Sequence, residues 1–238
     1  MDKEELINIL KLQQEIFGDE LFTTELKPTQ QNNIEKIETK KSEQSNLKDF
    51  ITSTSLSELN SLICQCQQCI LGSTRKNFVF GVGNPNARVM VIGEGPGADE
   101  DEQGEPFVGR AGRLLNDILK AINFERSEVY IANVVKCRPP GNRTPTTDEM
   151  DTCLPYLKKQ IDLIKPSLIL CLGLTAALGI LKKKDSLTNL RGKVFDFENA
   201  KVMVTYHPAA LLRNPNWKRG CWEDVQKFRK LYDEMFTQ

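Results

Sequence analysis

Four short apolar runs, at residues 88–92, 129–135, 168–172 and 202–206, limit most what this chain can fold into. Each is mostly β-branched or aliphatic and does not alternate with polar residues, as strands buried on both faces do. Helical patterns separate them, at 111–123, 146–164 and 174–183, and another closes the chain near 217–235. Strands alternating with helices predict an α/β fold with a parallel sheet covered on both faces. Ligands in such sheets bind beyond the carboxyl ends of the strands. The loops that follow the four runs are therefore the segments to read for chemistry.

The amino-terminal stretch differs in kind. Residues 4–22 place Leu6, Ile9, Leu10, Ile16 and Phe17 at near-helical spacing and predict an amphipathic helix, suited either to docking a replication or repair partner or to serving as a solubilising tail. Residues 23–50 are rich in Thr, Gln, Asn, Lys and Glu and predict a flexible linker, which leaves 51–238 as the folded domain. The first 50 residues hold 11 acids and 7 bases, so the zero net charge of the whole divides into about −4 there and +4 in the body. That balance suits nucleic-acid contact through a local patch. No apolar run approaches the roughly 20 residues that span a bilayer. The acidic start Met1-Asp2-Lys3-Glu4-Glu5 does not resemble a targeting peptide, so a cytoplasmic protein is expected.

In that setting the seven cysteines do not read as a disulfide framework. Cys66 and Cys69 form a C-x2-C pair, and Cys137 and Cys153 lie far downstream with 15 residues between them. The pair can grip a metal centre from a tight turn, and the downstream loop and helix can complete four thiolates. Four thiolates fit a [4Fe–4S] cluster or structural zinc, and spacing does not choose. Cys64 competes with Cys66, while Cys171 falls inside a strand and reads as a buried free thiol.

The first strand runs into Gly93-Glu94-Gly95-Pro96-Gly97-Ala98-Asp99-Glu100-Asp101-Glu102-Gln103-Gly104-Glu105-Pro106-Phe107-Val108-Gly109-Arg110-Ala111-Gly112. This loop lacks the Walker lysine and the G-x-G-x-x-G form, and five acids in seven residues would repel phosphate. The second run ends in Asn133-Val134-Val135-Lys136-Cys137-Arg138-Pro139-Pro140-Gly141-Asn142-Arg143. The fourth ends in Tyr206-His207-Pro208-Ala209-Ala210-Leu211-Leu212-Arg213-Asn214-Pro215, which holds the chain's one histidine.

Together these three motifs resemble those of the family 4 uracil-DNA glycosylases, over about residues 56–235. The resemblance implies a three-layer α/β/α sandwich around a four-stranded parallel sheet. It also implies a [4Fe–4S] cluster, in place of zinc, on Cys66, Cys69, Cys137 and Cys153. Its expected chemistry is extrusion of a uracil nucleotide from DNA and hydrolysis of the N-glycosidic bond by a monomer. Phe107 would stack on the base, and Asn133 would read O4 and N3–H, a pattern cytosine lacks. His207 would donate to O2 as negative charge grows there.

Glu94 or Glu100 would hold the water and steady the sugar cation. Gly95 and Gly97 would let the backbone approach the base. Leu211 or Leu212 would wedge into the vacated gap while Arg213 holds a phosphate. Lys136, Arg138 and Arg143 would form a second basic patch. Rival readings are a non-catalytic iron–sulfur DNA-binding or polymerase-associated protein on the same fold, and a zinc-stabilised nucleotide hydrolase. A cysteine or serine hydrolase ranks last, since no G-x-S-x-G elbow is present.

Overall fold

The computed structural model describes residues 49–236. The helix expected at 4–22 and the linker to residue 48 lie outside them. Asp49–Thr52 forms a 3-10 turn where the linker was expected to end, and its Phe50 meets Tyr156 edge-on at 4.9 Å.

The described chain runs through α1 (Leu56–Ile63), α2 (Leu71–Thr74), β1 (Val82–Gly83), β2 (Val89–Gly93), α3 (Ala98–Gln103) and α4 (Arg110–Ala121). It continues with β3 (Tyr130–Asn133), α5 (Thr147–Ile164), β4 (Leu168–Leu172), α6 (Leu174–Leu181) and α7 (Leu187–Leu190). β5 (Val194–Phe197), β6 (Ala200–Thr205), α8 (Pro208–Arg213) and α9 (Lys218–Phe236) complete it.

The strands form one sheet in the order β1-β3-β2-β4-β6-β5. β3, β2, β4 and β6 are parallel and correspond to the four apolar runs. The expected four-stranded parallel sheet is thus the centre of a six-stranded mixed one, because β1 and β5 add antiparallel edges. β1 is two residues long, and β5 alternates exposed and half-buried positions, so neither carries a buried-strand pattern. Short, partly polar edges of this kind discourage pairing with other chains.

The sheet separates two cores. Alternation along β2 sends Met90 and Ile92 to one side, with Leu59, Leu157 and Ala176 of α1, α5 and α6. Val89 and Val91 face the other side, with Leu115, Leu211 and Phe228 of α4, α8 and α9. This is the three-layer arrangement expected.

Two helices were read as loop. The acidic stretch is largely α3, whose first turn holds Asp99, Glu100 and Asp101, where acids favour the positive end of the helix dipole. Buried Asp101 also accepts the Lys76 N–H at 2.9 Å, fastening the segment after α2. The second of these, α8, begins at Pro208, a residue well suited to a first helical position.

Gly112 faces the backbone of Phe107, and a Cβ there would collide with the Phe107 carbonyl and sit 2.8 Å from its Cα. Gly112→Ala is expected to cost about 1–3 kcal/mol, as overpacking does. Calorimetry should show a melting temperature lower by roughly 2–4 °C per kcal/mol; an unchanged value would show that Phe107 moves freely.

Candidate active site

Parallel register brings four strand ends side by side: Gly93 pairs with Asn133 and Leu172 with Thr205. Above them opens a cavity of about 460 Å³. Glu94, Gly95, Gly97, Glu100, Phe107, Asn133, His207 and Arg213 all line it, although they come from three separated loops. Leu172 and Thr175 supply part of the wall, and Asn142, Arg143 and Thr144 another part.

Asn133 is 2% exposed, and its Oδ1 is buried without a hydrogen-bond partner. Such an atom costs about 1–3 kcal/mol unless a ligand meets it. Phe107 stands beside it in a left-handed conformation, φ 55°, unusual for a bulky residue and often found at binding sites. A Cβ on Gly93 would strike Asn133 Oδ1 and lie 2.6 Å from Phe107 Cζ, so the bare strand end lets the two side chains close over it. The Phe107 and His207 rings are 5.5 Å apart and tilted by 31°, leaving the amide, the phenyl face and the imidazole around one space.

His207 caps α8: its Nδ1 accepts the Ala209 N–H at 3.1 Å. An accepting Nδ1 places the proton of the neutral ring on Nε2. Burial, then the nearby Arg213 cation, pushes the imidazole pKa down to about 4. At neutral pH this histidine is an uncharged Nε2–H donor.

The two candidate carboxylates stand in different surroundings. Glu100 has both oxygens engaged by backbone: Oε1 accepts Val108 and Gly109 N–H at 3.0 Å each, and Oε2 accepts Gly97 N–H at 3.1 Å. It ties the start of α3 to the Phe107 loop. Glu94 Oε2 accepts the Thr175 hydroxyl, and its Oε1 makes no hydrogen bond among the described residues. Gly95 and Gly97 are needed first by the protein itself, since Cβ atoms would meet Val135 Cγ2 at 2.6 Å and Glu100 Oε2 at 2.7 Å.

Comparison with known proteins bears on this cavity directly. Residues 80–226 match the family model described as the uracil DNA glycosylase superfamily. The type-4 uracil-DNA glycosylase of Archaeoglobus fulgidus is 43% identical over 185 residues, covering 74% of this chain and 93% of the relative. That of Sulfurisphaera tokodaii is 45% identical over 74% of this chain and 84% of its own. That of Thermotoga maritima is 46% identical over 68% and 87%. The chain belongs to the type-4 uracil-DNA glycosylases.

Within this glycosylase two sequence expectations need correction. Lys136 cannot join a DNA-facing patch: it is fully buried, with Nζ donating to the Asn133 carbonyl at 2.9 Å and to Gln160 Oε1 at 2.6 Å. Burial lowers its pKa to about 8. Leu211, one of the two leucines expected to form the wedge, is 1% exposed and packs into the core beneath α8, whereas Leu212 is 37% exposed. Helical rotation decides this, turning one leucine inward and its neighbour out. Arg143 lines the cavity but is already forked onto Glu149 at 2.6 and 2.8 Å. Arg138 bonds Asn142 Oδ1 through Nε at 2.7 Å, outside the cavity lining.

The four cysteines expected as ligands lie on the α1–α5 side of the sheet. Cys137 and Cys153 are buried there, and half-buried Cys66 and Cys69 pack against the same core. Cys66 Sγ meets the Tyr156 hydroxyl at 3.2 Å, Arg75 Nη1 donates to Cys137 Sγ at 3.0 Å, and the Lys136 N–H donates to Cys153 Sγ at 3.3 Å. Cys64 instead turns its thiol to the Ser61 carbonyl. Burial raises the Cys137 thiol and pushes Cys153 up to about 12. Among the described residues no three His, Cys, Asp or Glu side chains converge closely enough to hold a single metal ion.

Sequence reading missed Thr175, Arg75 and Tyr156. Thr175 could have been found, since it follows the third apolar run at a strand's carboxyl end. Arg75 and Tyr156 carry no sequence signal, because only folding brings them to sulfur.

The lone histidine makes its state easy to measure. By NMR the His207 ring should titrate near pH 4 and stay neutral above it. The folded pKa lies below the unfolded value, so its contribution to stability is complete above about 6.5 and is lost as pH falls towards 4. The denaturation midpoint of the native chain, relative to His207→Asn, should fall across that window; a flat difference, or titration at the ordinary value, contradicts the buried neutral ring.

Proposed function

We propose that this glycosylase removes uracil from DNA, leaving an abasic site, and that Asn133, Phe107, His207 and Glu94 do the work. The observation that carries the reading is the unpartnered Asn133 Oδ1, buried in a cavity that also holds an aromatic face and a neutral imidazole donor. Uracil supplies what Oδ1 lacks: its N3–H donates there while O4 accepts from the amide nitrogen. Cytosine offers an acceptor at N3 and a donor at the exocyclic amine, and an amide held in this orientation would meet each with its like.

Phe107 covers the face of the extruded base. As the C1′–N1 bond breaks, its electron pair moves into the uracil ring, and Nε2–H of His207 donates to O2, where charge accumulates. A neutral donor suits this step because it stabilises the anion without first being neutralised by it. The free Oε1 of Glu94 orients the water and takes its proton as the water oxygen bonds to C1′. Glu100, with both oxygens held by backbone, shapes the loop and does not handle water. Arg213 grips a phosphate, and exposed Leu212 takes the place intended for a wedge.

Cys66, Cys69, Cys137 and Cys153 would hold a [4Fe–4S] cluster. Four thiols share one interior neighbourhood, and N–H donors already point at two of the sulfurs. Bound there, the cluster would act structurally, fastening the segment around Cys66 and Cys69 to the loop after Asn133. The enzyme works as a monomer in the cytoplasm; no described helix is long and apolar enough to cross a membrane.

Purified protein incubated with a uracil-containing oligonucleotide and then alkali should yield strand breaks at uracil alone. His207→Ala should lower kcat by about 10²–10³, as loss of an oxyanion donor does. Asn133→Ala should lower kcat/KM by roughly 5–150-fold, matching a lost buried pair of about 1–3 kcal/mol. Intact strands from the cluster-loaded native enzyme would overturn the assignment.

A further inference from the structure

The segment after α8 carries a feature that base recognition leaves unused. Residues 212–219, from Leu212 to Arg219, are all exposed, and Pro215–Trp217 forms a 3-10 turn that presents Trp217, 42% exposed, to solvent. One face of Trp217 lies on Tyr206, with ring centroids 5.1 Å apart and planes within 20°. The Arg191 guanidinium lies 5.0 Å from the same Tyr206 ring. The indole and the cation thus both lie against the tyrosine ring. Arg191 is fixed in turn by Asp224 Oδ2 at 3.0 Å, and Thr205 bonds the same oxygen at 2.8 Å. The result is a column anchored in the core, Arg191, Tyr206, Trp217, with its outer ring open.

This column adjoins the cavity. Tyr206 directly precedes His207, and Arg213, on the cavity wall, is four residues from Trp217. Neither Arg213 nor Lys218 makes an ion pair among the described residues, while Arg219 makes only a loose one with Glu223 at 3.4 Å. An open aromatic face flanked by uncommitted cations is the chemistry that holds a single-stranded nucleic acid: the ring stacks a base and the cations follow the backbone.

We propose that Trp217 is a stacking platform for a base of the single-stranded DNA flanking the extruded uracil, with Lys218 and Arg213 holding the phosphates to either side. The proposal rests on the glycosylase reading for its choice of strand. A duplex would keep the flanking bases paired and deny the indole a face, so the platform favours single strands.

The chain has two tryptophans, Trp217 and Trp222. In a cluster-loaded Trp222→Phe protein, emission therefore reports on Trp217 alone. A uracil-free single strand of about 12 nucleotides, within the span that such sites cover, should quench it. Trp217→Leu should weaken binding of that strand by roughly 5–100-fold, the loss expected for one base stack, and Trp217→Phe should recover most of it. On uracil-containing oligonucleotides the Leu variant should raise KM with little change in kcat, and the effect should vanish once the flank on one side is trimmed away.

Absence of quenching, equal binding by the Leu and native proteins, a Phe variant no better than Leu, or a loss that persists without either flank would each overturn the platform. Failure of the native enzyme to release uracil would sink the glycosylase reading alone, since quenching by the uracil-free strand still decides the stack.

Discussion

The hydrogen bonding between β2 and β3 does not stop where the strands end. The Val134 N–H donates to the Gly93 carbonyl at 3.0 Å and the Val135 N–H to the Glu94 carbonyl at 3.1 Å, carrying the ladder past the sheet into the cavity wall. Everything in the site hangs from this extension. It sets Asn133 directly beside Gly93, the one neighbour without a Cβ to push the amide away. It also puts Glu94 on the rim facing Thr175, in the first turn of the helix that follows the adjoining strand.

The loop that brings Phe107 over this point is held from within. Glu100 gathers backbone N–H groups from residues 97, 108 and 109, so a charge that would be costly in a closed site is satisfied by dipoles and contributes rigidity. Phe107 keeps its left-handed backbone because both of its flanks are held, by Arg126 donating to the Pro106 carbonyl at 2.6 Å before it and by Glu100 and the start of α4 after it. The proposed reading of uracil by the Asn133 amide needs this preorganisation, since a mobile amide could turn to suit either pyrimidine.

Beneath the cavity a polar network joins Asn133 to the cysteines. Lys136 donates to the Asn133 carbonyl and to Gln160, and Gln160 donates to the Phe80 carbonyl at 2.9 Å and to the Tyr130 hydroxyl at 3.3 Å. The Lys136 N–H meanwhile reaches Cys153 Sγ. A buried cation next to thiol groups is costly alone and sensible beside thiolates, so the lysine and the cysteines favour each other's charged forms. The same residues give the turn after β3 one conformation.

By itself the sequence determined the α/β order, the four parallel central strands and the three loops that carry chemistry, because burial on both faces leaves an unbroken apolar signature. It also determined which side chains could act, since Asn133, Phe107 and His207 stand in motifs at strand ends. Tertiary structure decided what those patterns cannot encode. The edge strands β1 and β5 are too short or too polar to announce themselves, and α3 hid because acids suit a helix start as well as a solvated loop. Burial turned Lys136 from a surface cation into a core donor, and one helical step separated inward Leu211 from outward Leu212. Backbone contacts claimed Glu100 and left Glu94 open, a difference that resides in distances between segments and not in the identity of either residue.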